Sequence, residues 1–204
     1  MQKIIIVSTL FFAFVLTTAA FAVNFSADQV VYGKNMPQMT SKIFSSGNKF
    51  RAETDSGGMN MIIISRMDKK VSWTVMVDKQ MYMENSIDPK QAVSTGAKMP
   101  GEKREKLGNE VVNGINCAKY KLTYQDPSGP VSVYMWESAD KMPIKSQAID
   151  GSWTSEMRNI SKAPISPSVF EVPAGYKKMP AMGAGLPGGN SGMDLDAIKN
   201  MMGH

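Results

Sequence analysis

The chain has 204 residues, 43% of them apolar and 20% charged, with a formal net charge of +5 and one cysteine. That length suits a single domain that buries a core without staples, and one cysteine leaves no intramolecular disulfide. Nucleic acid is not an expected partner, because the densest charge run, residues 98–108, interleaves Glu102 and Glu105 with its cations in the manner of a solvated loop.

At the N-terminus Lys3 precedes an apolar run over residues 4–16, and Ala20-Phe21-Ala22 follows as a small-x-small cleavage site. Residues 1–22 therefore read as a secretory signal peptide. The run is shorter than the roughly 20 residues of a spanning helix, and no cysteine follows the cleavage site to carry a lipid. The expected product is a periplasmic monomer starting at Val23, with no membrane anchor.

From Phe25 to about Ile160, short stretches rich in Val, Ile, Thr and aromatics alternate with turn chemistry: Ser46-Gly47-Asn48, Ser56-Gly57-Gly58, Asp68-Lys69-Lys70, Asp78-Lys79, Asn113-Gly114, 126–129 and Asp150-Gly151. Spacing of this kind predicts an antiparallel, mainly β domain. Ala118, Tyr120, Leu122 and Tyr124 share one parity and Lys119, Lys121 and Thr123 the other, which gives a strand wet on one side. Residues 59–77 differ, since Met61/Ile63 and Ile62/Ile64 are apolar on both parities, while Val71, Trp73, Val75 and Val77 oppose Met76. A strand greasy on both faces needs cover on both. Asp88-Pro89 starts a helix signal within residues 86–99, so a short helix is expected over the concave face.

Beyond Ile160, Pro164 and Pro167 break any strand, residues 169–176 form a last short apolar segment, and 180–192 is a glycine-rich linker. Residues 193–204 form an amphipathic helix or a disordered tail: Leu195, Ile198 and Met202 fall at i, i+3 and i+7. The domain itself spans residues 23–179.

Catalytic chemistry finds little to work with. The single histidine, His204, ends the tail, and no spacing singles out a carboxylate pair among Glu84, Glu137 and Glu156. A non-enzyme without cofactor is expected. Cys117 reads as a small buried hydrophobe in a strand. The surplus is methionine, with 18 in the chain and all but Met1 beyond the signal peptide. Soft thioethers select Cu(I), and Met59/Met61 and Met81/Met83 each put an i, i+2 pair on one strand face. Methionine is also flexible and polarizable, which suits the wall of a cavity for variable acyl chains. Scatter along the chain favours lining, with the four-methionine Cu(I) set kept as the alternative.

The stretches "SSGNKFRAET" (45–54), "MIIISRMDKKVSWTVMVDKQMYMEN" (61–85), "GNEVVNGINCAKYKLTY" (108–124) and "FEVPAGYKKM" (170–179) together resemble the LolA/LolB-like outer-membrane lipoprotein-sorting superfamily, in a secreted branch of it. The resemblance implies an antiparallel sheet curled into an unclosed half-barrel, helices over its mouth, and an apolar cavity for acyl chains. In the lipoprotein carriers an arginine and a phenylalanine control the lid. The matching positions are Phe50 and Arg51, although Gly47-Asn48-Lys49 stands where the carriers have an Arg-Pro pair before the phenylalanine. The expected cavity wall adds Met61, Ile63, Trp73, Val75 and Tyr82 from the opening strands. Tyr120, Leu122 and Trp136 join from the later ones. The expected function is to carry or bind a lipid or the acyl chain of a lipoprotein, the alternatives being the Cu(I) protein and a domain that docks on an envelope protein through its C-terminal helix.

Overall fold

The computed structural model describes residues 24–56, 59–87, 101–126 and 129–179. The signal peptide, the helix expected after Ile87, the glycine-rich linker and the C-terminal helix lie outside them. Among the described residues no helix is long and apolar enough to cross a membrane.

Twelve strands among the described residues make one sheet, not closed into a barrel. In chain order they are β1 (Phe25–Gly33), β2 (Met36–Ser46), β3 (Lys49–Ser56), β4 (Met59–Arg66), β5 (Val71–Met76), β6 (Met81–Ser86), β7 (Lys103–Val112), β8 (Ile115–Asp126), β9 (Gly129–Glu137), β10 (Pro143–Ala148), β11 (Trp153–Ser161) and β12 (Lys177–Lys178). The spatial order is β12-β6-β5-β4-β3-β2-β1-β11-β10-β9-β8-β7. Two meanders, β1–β6 and β7–β11, are therefore joined where β1 pairs with β11, which puts the first strand in the middle of the sheet. The pairings are antiparallel except for β12, which runs parallel to β6 with Lys177 opposite Met81.

Local chemistry accounts for the hairpins. Asn113 and Gly114 sit at φ 50° and 78°, the two left-handed positions of a two-residue turn whose twist matches its strands. Each turn signal in the sequence lies between consecutive strands. The turns at Lys34-Asn35 and 138–142 use Asn35 and Asp140-Lys141 in the same way; in the second, Ser138 Oγ accepts from the Met142 amide at 3.2 Å.

Register separates the apolar side chains into two cores. Ala27 pairs with Ile43, and Ile43 with Ala52. These residues join Phe25, Phe50, Met157, Ile144, Trp136 and Cys117 in the larger cluster. The second cluster occupies the opposite face of β3–β6: Ile62, Ile64, Trp73 and Val75 lie beneath Phe170. Phe170 closes a 3-10 turn, Pro167–Phe170, in the segment 165–176 that crosses these strands as a strap. The last apolar segment of the sequence is thus the cover of one greasy face. Cys117 is fully buried, its Sγ donating to the Ile115 carbonyl at 3.4 Å, and burial pushes its pKa up.

Candidate functional site

Period-2 geometry sends alternate residues of β4, β5 and β6 to opposite faces. Directly opposed residues share a face, so the pairings Met61–Met76 and Met76–Met81 line up three methionines across three neighbouring strands. The next row holds Ile63, Thr74 and Met83. That row continues the larger core: Ala27, Ile43 and Ala52 are at most 3% exposed, and burial then fades to half-buried Ile63, Thr74 and Met83. Met76 and Met81 are also half-buried, and Met61 is 39% exposed. The thioether row ends at a polar pair, Ser41 Oγ and Thr54 Oγ1, 2.7 Å apart. The result is an open apolar patch built of flexible side chains.

The other face of the same strands is largely covered. Phe170 is 1% exposed and packs on Ile62, Ile64, Trp73 and Val75, with Val169, Val172 and Tyr176 around it. Two arginines pin the strap. Arg51 donates from Nη1 to the Val169 carbonyl at 2.9 Å and from Nε to Glu53 at 2.7 Å. Arg66 donates from Nε and Nη2 to Asp68 at 2.8 and 2.7 Å, and from Nη1 to the Phe170 carbonyl at 3.4 Å and to the Glu171 carboxylate. The hydrogen bond from Arg66 holds the Asp68 carboxyl down at about 2. Burial raises the Glu171 pKa, but Lys69 and Arg66 outweigh it and leave the carboxyl below its usual range. Farther along, Lys178 Nζ and Trp73 Nε1 both donate to Glu84, at 2.6 and 2.9 Å. Beside the strap an open hollow of about 440 Å³ is lined by Asp28, Lys42, Arg51, Glu53, Asp55 and Ile62 among others, and its charges suit water better than an acyl chain.

The expected site residues thus fall into three groups. Met61 and Ile63 belong to the open patch, and Phe50 shares their face but is 4% exposed within the larger core. Trp73, Val75, Tyr82 and Arg51 lie on the strap face. Tyr120, Leu122 and Trp136 belong to β8 and β9, where Trp136 donates to Glu110 at 2.7 Å between the Lys119 and Lys145 ammonium groups. Of the four methionines weighed for Cu(I), Met61 and Met81 share the row and Met83 lies two positions on; the side chain of Met59 is outside the described residues. Met76 was missed as a site residue although its parity, opposite Trp73 and Val75, was legible. Among the described residues no trio of His, Cys, Asp or Glu is placed to hold a metal.

Residues 32–142 match the model of a family described as a domain of unknown function, DUF4412. No curated protein matches in sequence. Among solved structures, an uncharacterized conserved protein from Thermus thermophilus is similar at 9% identity and TM-score 0.56, over 84% of this chain and 99% of its own. MucB is similar at 14% identity and TM-score 0.53, over 81% of this chain and 62% of its own. MucB in complex with MucA(peri) gives 14% identity and TM-score 0.51, over 82% of this chain and 60% of its own. The sheet shares its fold with these structures, and at these identities the likeness is one of fold.

Proposed function

The chain belongs to the DUF4412 family, and we propose that this member of it binds the acyl chain of a lipid or lipoprotein on the open face of β4–β6, as a non-enzymatic carrier in the cell envelope. The observation that carries the reading is the patch of Met61, Ile63, Met76, Met81 and Met83, left half-covered on strands whose other face is largely covered by the strap. Unbranched thioether side chains adjust to ligands of varying shape. Burying about 300 Å² of chain there would contribute on the order of 7 kcal/mol before ordering costs, enough for capture and small enough for handover.

Titration with a fluorescent fatty-acyl probe tests this. Met61→Glu with Met81→Glu places two charges in the patch and is expected to weaken binding at least tenfold while the far-UV spectrum stays unchanged. Val111→Glu, on β7 and 72% exposed, serves as the control that leaves binding intact. Equal binding by the double variant and the wild type would remove the patch as the site.

A further inference from the structure

We propose that Met61, Met76 and Met81 form a three-thioether site for a soft monovalent cation, Cu(I) in the cell. This goes beyond acyl binding, although both uses share one face.

Three observations carry it. First, the ligands are in one register: Met61 opposes Met76 and Met76 opposes Met81. Opposed β-carbons lie roughly 4.5–5.5 Å apart, and each sulfur stands two flexible bonds beyond its β-carbon, so three sulfurs can converge above the central residue. Met83, two positions beyond Met81 in the same strand, is a diagonal neighbour of Met76 and offers a fourth thioether. Second, strand propensity does not explain the row. Strands favour β-branched and aromatic residues, and the strap faces of these same three strands use Ile62, Val75 and Tyr82. At the next position, on the open face, all three carry Met. Third, the row is reachable, since Met61 is 39% exposed and Met76 and Met81 are half-buried.

The donor set decides the ion. Thioether sulfur is a soft ligand that selects Cu(I), whereas Zn(II) and Cu(II) sites draw on imidazole, thiolate or carboxylate. A thioether has no proton to lose, so uptake does not depend on pH as it does for thiol or imidazole ligands. All three ligands are neutral, and the ion keeps its single charge at an exposed site where solvent stabilises it.

The test titrates purified full-length protein with Cu(I), held reduced by ascorbate under argon, against a chromophoric Cu(I) chelator at pH 5 and pH 7.5. One bound equivalent is expected, with the same affinity at both pH values. Met76→Leu should weaken it at least tenfold, and Met61→Leu/Met76→Leu/Met81→Leu should abolish it. Leucine keeps volume and apolarity close to methionine, so the triple variant should keep the far-UV spectrum and thermal midpoint of the wild type. Loss of Cu(I) with an unchanged spectrum and midpoint supports the metal site. Failure of the wild type to retain Cu(I), or undiminished retention by the triple variant, overturns the site without touching the acyl reading.

Discussion

At Arg66 one guanidinium divides its donors among Asp68, Glu171 and the carbonyl of Phe170. The side chain is 7% exposed, while those of Asp68 and Glu171 are 35% and 43% exposed. Water therefore screens the carboxylates, and the arginine's own hydrogen bonds matter most. Arg66→Met should cost about 1.5–3 kcal/mol at neutral pH, the range for losing hydrogen bonds to charged groups. The same group predicts an acid dependence. The Asp68 carboxyl is held at about 2, below its usual 3.8, and the Glu171 carboxyl is also lowered. A carboxyl depressed in the folded state binds protons more readily when unfolded, so its contribution is present above the unfolded value and is lost as pH falls through the folded one. Denaturant midpoints of the wild type should fall between about pH 4 and about pH 2, and Arg66→Met should flatten that slope. An identical slope in the variant would detach the acid response from this cluster. The sequence could not announce the pairing, because Arg66 and Glu171 stand 105 residues apart and nothing local marks either one.

The strap is the element that covers one face of a two-faced greasy meander. Phe170 is 1% exposed, and Phe170→Ala should cost about 3–5 kcal/mol by transfer and cavity together. Its neighbours are Trp73 and Val75 of the edge meander, so the loss should be read locally. Amide hydrogen exchange is expected to rise in β5, β6 and 165–176 while β8–β10 keeps its protection. Uniform acceleration across the sheet would mean that the strap stabilises the whole molecule and not one edge. What was legible at this scale follows from what is local. Asn113-Gly114 announces its hairpin because two residues suffice to make the turn, and the two-faced apolarity of Met61–Ile64 announces a need for cover. Which segment covers the strap face was not local: residues 169–176 read only as a last short apolar segment, and nothing in them marks Trp73 as their neighbour. The methionine row was half legible. Parity puts Met61, Met76 and Met81 on one face each, but only the strand register makes them neighbours.

The order of the sheet has its own consequence for the molecule as a whole. β1 pairs with β11 across some of the longest separations in the chain, with Val31 opposite Ser155 and Gln29 opposite Met157, and Gln29 Nε2 donates to Ser155 Oγ at 3.1 Å across 126 residues. Each meander is assembled from short hairpins, whereas this seam requires closing a loop of most of the domain before any contact rewards it. No turn residue or alternation pattern could reveal it, which is why strands and hairpins were readable and the central place of β1 was not. The seam also joins the two halves of the larger core, since Met157, 2% exposed, packs in one cluster with Ala27 and Ile144. If the barrier to folding is seam closure, Met157→Ala should cost about 2–5 kcal/mol and express most of that loss as slower refolding. Ile64→Val, within one meander and under the strap, should cost about 0.5–1.5 kcal/mol and act mainly by faster unfolding. Stopped-flow chevrons of the two variants separate these cases. A Met157→Ala chevron that moves only in its unfolding arm would show that the halves meet after the barrier, and that the two meanders reach the transition state as separate units.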